Sequence, residues 1–355
     1  MTLKEIAKRA GVSTATVSLV LNDSPKISNP TKAKIREIIR ETGYRSNRLA
    51  GSLRRSKTGL IGILVEDITV WHTALIIDGM NQYAEEHGCN TILSNLRLAN
   101  KIDSHFNEIS LYQKDIDQAV ETLLSLQVDG IVYIGMHDRL IRNVMPKSDK
   151  PVVFCYCYTS EGEESSIRYD NEKTLRLLTE EIIRRGHKRI AAIHGKEDSE
   201  PAQLRKRGFH TAMQEAGLAV PKHWDERGDW NFQGGRDAAI RLLCRNPGET
   251  VRTVLPPDER PSAIVCMNDE MAVGVYNAAA ELHLRIPEDL SVSGFDNADF
   301  AQHVTPALMT VDRPLHKMGY RALDLLLHKI QRKDDSATNV VYPCTILPGQ
   351  SVQTI

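Results

Sequence analysis

The sequence predicts a small all-α head followed by a larger α/β body of two lobes, whose parallel sheets are covered by helices on both faces. Residues 1–58 contain three short helical patterns and an excess of basic residues. From Leu60 onwards, short apolar runs alternate with helical stretches, the pattern of a parallel sheet with crossover helices. At 355 residues the chain is long enough for two or three domains.

Charge is distributed unevenly along the chain. Residues 1–58 contain thirteen lysines and arginines and four acidic residues, a balance of +9, while the remainder has a balance of −10. A basic head on an acidic body is typical of a protein that meets a polyanion at one end only. The charged N-terminus is not a signal segment, and no stretch approaches the roughly 20 apolar residues that cross a bilayer. We therefore expect a soluble, cytoplasmic protein with no membrane partner.

The six cysteines are scattered, and none belongs to a C-x-x-C pair. Cys155 and Cys157 form a C-x-C in the apolar run 152–158, where alternate residues of a strand share a face. A metal site is conceivable there, but a plain strand is favoured because no His/Cys pair with ligand spacing occurs elsewhere. We expect no metal, and the cysteine usage fits a reducing cytoplasm.

Three helices are predicted in the head. Thr2-x-x-Glu5 is a capping box that opens the first helix, and Gly11 ends it. Ser13 is placed to cap the second helix, and Ser28 to cap the third, which has Pro30 in its first turn. Apolar side chains recur on one face of each helix. They are Leu3, Ile6, Ala7, Ala10, Val17, Val20, Leu21, Ile35, Ile38 and Ile39.

The second helix turns small and hydroxyl-bearing residues away from its apolar face. Helix, short turn and helix with such a face is the helix-turn-helix plan of DNA-binding proteins. Small side chains matter because the helix must enter the major groove closely enough to reach base edges. The alternative is a three-helix bundle with no nucleic-acid role, against which the charge bias and the exposed Ser/Thr face argue.

Polar residues end several of the predicted strands of the body. The apolar runs are LIGILV, NTILSN, DGIVYIG, PVVFCYCY, KRIAAIHG, SAIVCMND and DLSVSGFD, with helical stretches near 74–87 and 114–126. Ligands of such α/β folds bind beyond the carboxyl ends of the strands. The polar residues at these ends are Asp67, Asn95, His194, Asn268, Asp269 and Asp296.

The motifs of the chain, taken in order, resemble the lactose-repressor/galactose-repressor (LacI/GalR) family over nearly the whole length. In the head they are Thr2-Leu3-x-x-Ile6-Ala7, Ala10-Gly11-Val12-Ser13, Thr16-Val17-Ser18, Val20-Leu21-Asn22 and Gly43-Tyr44. In the body they are Gly186-His187-x-Arg189-Ile190, Arg205-x-x-Gly208-Phe209, Asn268-Asp269-x-Met271-Ala272-x-Gly274, Pro287-Glu288-Asp289-x-Ser291-Val292-x-Gly294-Phe295-Asp296 and Thr305-Pro306-x-Leu308-x-Thr310-Val311.

The resemblance implies a transcription regulator with a periplasmic-binding-protein-like body. It implies a helix-turn-helix domain at 1–45, a hinge helix or linker at 46–58, and an effector-binding and dimerisation domain at 59–355. Within that domain, the first lobe is expected at about 59–168 plus 313–342 and the second at about 169–312 plus 343–355. The implied partners are palindromic operator DNA, a small effector of carbohydrate type and a second copy of the chain.

The resemblance also assigns DNA-binding roles. Thr14, Ala15 and Leu19 fall where the recognition helix meets base edges. Leu53 matches a hinge leucine that wedges into the minor groove, with Asn47 and Ala50 as its helix neighbours. The remaining matches are residues that hold phosphates without reading sequence. They are Ser13, Thr16, Ser18, Asn22 and Thr31.

An effector is implied between the lobes. His72 and Thr73 match lining positions of the first lobe, and the second-lobe matches are Arg205, Trp230, Asn268 and Asp296. Their chemistry suits a polyol, because Arg and carboxylate hold hydroxyls with charge-assisted hydrogen bonds and an indole covers the apolar face of a sugar ring. The alternatives are structural: caps at strand ends for Asp296 and Asn268, plain core for Trp230, and a solvated helix charge for Arg205.

Several positions depart from the family pattern. Leu19 replaces an arginine that most relatives use to contact a guanine, and Ser46 replaces the proline of the hinge entry. Val70-Trp71-His72-Thr73 replaces a common N-P-F-F segment, so the wall of the first lobe is unusual. Tyr156 stands where many relatives have an acidic residue. Gly349 replaces the arginine of an R-x-S motif.

Two other classes of protein share parts of this pattern. A periplasmic sugar-binding protein would have the two-lobed body, but it would lack the head and need a signal peptide. An α/β enzyme is disfavoured because no P-loop, G-x-G-x-x-G, H-E-x-x-H or G-x-S-x-G occurs. The pair Asp269-Glu270 suggests acid–base work, but it is explained by a helix start. We therefore expect no catalytic residue and no cofactor. Without a heptad-patterned tail, a dimer bound to the nucleoid is expected rather than a tetramer.

Overall fold

The computed structural model describes residues 2–21, 23–44, 58–102, 106–160, 164–249, 251–332 and 336–355. The chain divides into two compact units, Met1–Thr58 and Gly59–Ile355. The hinge residues Asn47, Ala50 and Leu53, together with Ser46 and the phosphate-contact candidate Asn22, lie outside the described residues.

The first unit is built from three helices: α1 (Leu3–Ala10), α2 (Thr14–Leu21) and α3 (Asn29–Thr42). The predicted capping box is present, because the Thr2 side chain accepts from the Glu5 backbone while the Glu5 side chain accepts from the Thr2 backbone. Gly11 ends α1 with a φ of 70°, a left-handed conformation that glycine adopts without strain. The three helices pack around a small apolar core. It comprises Ile6, Ala7, Ala10, Val17, Val20, Ile35 and Ile38.

The second and third helices of the head begin differently from each other. Ser13 Oγ accepts from the Thr16 backbone at 3.1 Å, as expected of a cap. Ser28 lies at the N-cap position of α3, but the expected cap hydrogen bond is not made. Its hydroxyl instead lies 2.9 Å from Thr31 Oγ1. The prediction of a side-chain cap at Ser28 was therefore wrong, because a neighbouring hydroxyl replaces the backbone donor as its partner.

The first lobe of the second unit has a six-stranded parallel sheet. In chain order its elements are β1 (Leu60–Val65), α4 (Trp71–His87), β2 (Asn90–Asn95), α5 (Ala99–Ile102), a 3-10 helix (Phe106–Tyr112), α6 (Gln113–Ser125), β3 (Gly130–Ile134), β4 (Val152–Cys155) and β5 (Ser165–Tyr169). The sixth strand comes from the end of the chain. The buried pattern of β1, β3 and β4 explains their continuous apolar runs, because helices cover both faces of the sheet.

The second lobe follows, with a four-stranded parallel sheet in the order β7-β6-β8-β9. Its elements are α7 (Asn171–Arg184), β6 (Ile190–His194), α8 (Glu200–Glu215), a 3-10 helix (Lys222–Trp224), β7 (Asp225–Arg227), α9 (Phe232–Leu243), β8 (Ala263–Cys266), α10 (Asp269–Glu281), β9 (Ser291–Ser293) and a 3-10 helix (Asp299–Gln302).

The end of the chain passes back and forth between the lobes. After β10 (Thr310–Asp312), helix α11 (Leu315–Arg332) packs on α4 and on strands of the first lobe. Next, β11 (Asn339–Tyr342) completes the first sheet in the order β11-β5-β4-β3-β1-β2, and β12 (Thr345–Leu347) pairs antiparallel with β10. The predicted fold class is confirmed: an all-α head and a two-lobed α/β body with parallel sheets. Among the described residues, no helix is long and apolar enough to span a membrane.

Candidate functional site

Arg205 is a buried charge that reaches across to the first lobe. It lies on α8 with 3% of its surface exposed. Its Nε donates to Asn171 Oδ1 at 2.9 Å and its Nη2 donates to the Tyr169 hydroxyl at 3.0 Å, and Nη1 donates to the Met267 carbonyl. The alternative of a solvated helix charge is therefore wrong. Arg205 is held rigidly by side chains of both lobes.

Asp296 lies between two guanidinium groups just beyond the carboxyl end of β9. Its Oδ1 is 3.8 Å from Arg205 Nη1 and 3.3 Å from Arg313 Nε. Burial raises the pKa of Asp296 above its usual value, although both arginines favour its charged form. A carboxylate held in this way is ready to accept hydrogen bonds from a ligand.

The sequence did not single out Arg313, which lies at the centre of the cluster. It follows β10 directly and is 5% exposed. Its guanidinium carbon lies 4.9 Å from the Trp71 ring centroid and 5.7 Å from that of Tyr169, and its Nη1 donates to the Tyr156 hydroxyl. The available signal was its place at a strand end, but β10 has only three residues and its strand was not recognised.

His72 and Thr73 lie in the first turn of α4, where the sequence predicted the first-lobe wall. The His72 ring is 4.2 Å from the Tyr156 ring, and burial, with Arg313 nearby, lowers the pKa of His72 well below its usual value. Thr73 is also buried, but its hydroxyl donates to the Asp67 carbonyl at 3.0 Å. His72 therefore has a ring nitrogen to offer, whereas the Thr73 hydroxyl is already used inside the lobe.

Asn268 and Trp230 act together at the second-lobe wall. Asn268 Oδ1 accepts from the Met271 backbone at 2.9 Å, so this residue caps α10, and its Nδ2 donates to the Trp230 carbonyl at 3.0 Å. The cap interpretation of Asn268 matches these contacts. Trp230 is half-buried, and Gly195 leaves room for it: a Cβ there would lie 2.0 Å from the indole.

Five buried polar atoms near Arg313 make no hydrogen bond to any described residue, although two of them, Asp296 Oδ1 and Arg313 Nε, form an ion pair at 3.3 Å. They are His72 Nε2, Trp230 Nε1, Asp296 Oδ1, Arg313 Nε and Arg313 Nη2. Leaving a buried polar atom unpaired costs about 1–3 kcal/mol, and more for a charged group. A ligand that supplied both donors and acceptors here would recover that free energy. We use the name interlobe cluster for seven residues: His72, Tyr156, Tyr169, Arg205, Trp230, Asp296 and Arg313.

A separate groove of about 550 Å³ opens beside the N-terminal half of α7. It shares Tyr169 and Asn171 with the surroundings of the interlobe cluster, but exposed charged side chains such as Glu172 and Arg176 make up much of its lining. None of the five unpartnered atoms belongs to a residue that lines this groove. The interlobe cluster is therefore the better candidate for a ligand site.

In the head, most of the DNA-contact candidates that are described lie on α2 or just before it, away from the core. Ser13, Thr14, Ala15 and Ser18 are exposed, and Leu19 is 37% exposed, while Thr16 and Thr31 are half-buried. The opposite face of α2 buries Val17 and Val20 in the core of the head. The Ser13 and Thr16 hydroxyls lie 3.0 Å apart and so interact with each other. The face offers small side chains and hydroxyls, as major-groove entry requires.

Comparison with known proteins decides the family. A model described as bacterial regulatory proteins, lacI family, matches residues 2–47, and one described as a periplasmic binding protein-like domain matches residues 179–352. The ribose operon repressor of Escherichia coli strain K12 is 32% identical over 331 residues, which are 93% of each chain. This chain belongs to the LacI family.

Other members of the family match this chain over nearly its whole length. The HTH-type transcriptional repressor PurR of Erwinia tasmaniensis is 32% identical over 99% of this chain and 96% of its own. The crystal structure of a lac repressor dimer, bound to operator and the anti-inducer ONPF, superposes with a TM-score of 0.80 over 99% of both chains at 24% identity. That structural likeness supports the fold. The relatives compared by sequence are named as transcription repressors, so this LacI-family protein is a DNA-binding transcription regulator.

Proposed function

We propose that this LacI-family regulator is a homodimeric repressor of a palindromic operator, and that a sugar bound at the interlobe cluster controls its operator affinity. The observation that carries the proposal is a set of five buried polar atoms, contributed by both lobes, that make no hydrogen bond within the described part of the chain. A site that offers both donors and an acceptor beside aromatic rings suits a polyol. The E. coli relative is named for a ribose operon, which favours a sugar.

The two lobes supply different parts of the proposed effector site. His72 and Tyr156 come from the first lobe, while Trp230 and Asp296 come from the second. The half-buried indole offers an apolar face to a sugar ring, and the charged groups offer hydrogen bonds to its hydroxyls. A ligand that contacts both lobes binds one lobe arrangement more tightly than others, and this differential affinity is what shifts the equilibrium.

On the DNA side, the proposed base contacts are Thr14, Ala15 and Leu19, and the proposed phosphate contacts are Ser13, Thr16, Ser18, Asn22 and Thr31. The basic balance of the head favours binding that weakens as salt rises, because neutralised phosphates release their counterions. Asn47, Ala50 and Leu53 are proposed to act at the minor groove on the strength of the family resemblance. Operator binding would place the protein on the nucleoid in the cytoplasm.

Catalysis has no part in this proposal. Asp269, the buried member of the Asp269-Glu270 pair, accepts from the Ala298 backbone at 2.8 Å and from Thr310 Oγ1 at 2.5 Å. Both carboxylate oxygens therefore have structural partners inside the second lobe. A group used in this way is poorly placed to exchange protons with a substrate.

The test combines site selection from random DNA with anisotropy titrations of the selected site. We expect palindromic sites and an operator affinity that one of a panel of monosaccharides changes at least ten-fold. Thr14→Glu should abolish operator binding, because it places a negative charge on the face that approaches phosphates. Its matched control is Thr122→Glu on exposed α6 of the body, which should bind normally. Recovery of asymmetric sites only, or equal loss in both variants, would refute the proposal.

A further inference from the structure

The interlobe cluster carries more positive than negative charge. Two guanidinium groups, those of Arg205 and Arg313, lie within 4 Å of a single carboxylate, that of Asp296. All three side chains are largely buried, so water screens them poorly. Among the described residues, both guanidinium groups are ion-paired with this carboxylate alone, so the three groups carry one net positive charge.

The other charges nearby do not supply the missing partner. Glu66 forms a buried ion pair with Arg139 at 2.9 Å, and Asp138 forms one with Arg168 at 2.7 Å. Each of these carboxylates therefore has a guanidinium of its own. Two further acids lie near the cluster. Asp312 precedes Arg313, and its Oδ1 accepts from Asn297 Nδ2 at 2.9 Å. Burial together with the charge of Asp296 raises the pKa of Asp269 to about 7. Its oxygens also have the partners described above, so it offsets the excess only in part.

Tyr156 does not balance the excess positive charge of the interlobe cluster. It accepts from Arg313 with a hydroxyl rather than a carboxylate. Burial raises the pKa of Tyr156 well above its usual value, so this partner is neutral at physiological pH. A hydroxyl satisfies one donor of the guanidinium but cannot neutralise its charge.

The pKa values of two buried histidines reflect the positive charge of the cluster. Burial lowers the pKa of His137 to about 3, with the charges of Arg139, Arg205 and Arg313 acting in the same direction. For His72, burial is again the main cause, and the charges of Arg313 and Arg205 lower its pKa further. Both rings therefore lie in a field that disfavours added positive charge. The first turn of α4, where His72 lies, adds the positive end of a helix dipole.

The unpartnered atoms of Arg313 add geometry to this charge count. Its Nε and Nη2 form one edge of the guanidinium plane, and neither makes a hydrogen bond to a described residue. Nε faces Asp296 Oδ1 as an ion pair at 3.3 Å, so Nη2 is the donor of this edge that remains for a ligand carboxylate.

We infer that the effector is a sugar acid, a small polyol with one carboxylate that pairs with Arg313, rather than a neutral sugar. This rests on the proposed function, because it names the ligand class of the same cluster. One carboxylate matches one excess charge, whereas a phosphate monoester brings about −1.5 to −2 at neutral pH. The hydroxyls of the ligand then meet Asp296, His72 and Trp230.

Matched pairs of ligands test this inference directly. D-Gluconate, D-galacturonate and D-ribonate are compared with D-glucose, D-galactose and D-ribose, and with the phosphates of these three sugars, by thermal shift and calorimetry on the full chain. We expect at least one sugar acid to bind ten-fold or more tightly than its neutral counterpart and its phosphate. A panel in which no sugar acid exceeds its neutral counterpart overturns the inference, and preference for a phosphate overturns the choice of carboxylate.

Variants separate charge from folding. Tyr156→Asp supplies the missing negative charge beside Arg313, so the preference for the acid should fall at least ten-fold. Arg207→Gln removes an exposed guanidinium two residues from Arg205 on α8, and should keep the preference. The melting temperature and the operator affinity, both measured without ligand, check that each variant folds. If Tyr156→Asp does not fold, Arg313→Gln serves instead, and an unchanged preference in the folded variant overturns the inference.

The outcome for the proposed function is read separately. A sugar acid that binds but leaves operator affinity unchanged contradicts the proposed control of DNA binding and supports the ligand class. A neutral sugar that binds preferentially and changes operator affinity contradicts the inferred ligand class and supports the proposed control of DNA binding.

Discussion

The hydroxyl of Tyr158 in the first lobe donates a hydrogen bond of 2.6 Å to Glu200 Oε1 at the start of α8 in the second lobe. The other oxygen of Glu200 accepts from the Leu140 backbone at 2.8 Å. Arg168 stacks on the Tyr158 ring at 3.5 Å and lies 3.8 Å from the same carboxylate. These contacts tie the lobes together independently of the interlobe cluster, so they stabilise the lobe arrangement seen here.

Removal of one of these contacts should weaken effector binding. Tyr158→Phe deletes a hydrogen bond to a charged group, worth about 1.5–3 kcal/mol at most and less for a partly exposed pair. We expect effector affinity to fall several-fold, because the ligand must then supply more of the free energy that holds the lobes. Calorimetry measures this effect.

Tyr112→Phe is the matched control for that experiment. Its hydroxyl donates to the Lys101 carbonyl at 2.7 Å, a bond of similar length that stays inside the first lobe. This control should leave effector affinity unchanged. Equal effects of the two variants would show that the contact between Tyr158 and Glu200 does not bias the lobe arrangement.

Asp296→Asn should weaken the binding of neutral sugars and increase the preference for a sugar acid. The substitution keeps the shape of the side chain but removes the carboxylate that lies between Arg205 and Arg313. Ligand hydroxyls then lose a charged acceptor, whereas a ligand carboxylate meets one more unbalanced positive charge. Operator binding without ligand should stay nearly normal, since residue 296 lies in the body. Calorimetry measures the ligand affinity and a gel-shift titration measures the operator affinity. An unchanged ligand affinity would show that the effector does not bind at this cluster.

The sequence located the region of the interlobe cluster but only part of its contacts. Parallel strands bring their carboxyl ends to one edge, so polar residues after β8 and β9 were expected to meet a ligand. His72, Arg205 and Asp296 do lie in the cluster. The bond of Thr73 to Asp67 was not foreseeable, because it depends on local backbone geometry, whereas the cap that Asn268 makes to Met271 was one of the alternatives that the sequence offered.

Arg313 and Tyr169 were missed for a different reason. They are brought together by long-range packing, since Tyr169 ends β5 and Arg313 follows β10 after the chain has built the whole second lobe. Periodicity identifies long apolar runs, whereas β10 has three residues and no distinctive pattern. The head was easier, because caps and helical spacing are local signals. Among its described residues, Ser28 makes a different contact from the one predicted, and Leu21, predicted on the apolar face of the second helix, is 36% exposed.

Leu19→Arg should change the operator at the base pair that residue 19 contacts. Leu19 is exposed on α2, while its neighbour Val20 is buried, so the side chain is free to reach DNA. A leucine offers no donor to guanine but can pack on a thymine methyl. Arginine should create a guanine preference of about 1–3 kcal/mol for a bidentate contact. Site selection with both proteins measures it, and identical selected sites would show that residue 19 does not read bases.

Asp269 should make the stability of the body depend on pH. Its pKa is raised from 3.8 to about 7 in the folded chain, chiefly by burial and then by Asp296. Between about pH 4 and pH 7, the folded state keeps a proton that the unfolded state has released, so stability falls as pH rises. The stabilisation is complete below this window and is lost as pH passes through the folded pKa.

Asp269→Asn isolates this effect because asparagine resembles the protonated acid and does not titrate. The free energy of unfolding of the unmodified protein, relative to the variant, should decline as pH rises from about 4 to 8, by a few kcal/mol at about 1.4 kcal/mol per pKa unit. Urea titrations followed by tryptophan fluorescence report on the body, since all three tryptophans, Trp71, Trp224 and Trp230, lie there. A difference between the two proteins that stays constant across this range would mean that Asp269 keeps an ordinary pKa in the folded chain.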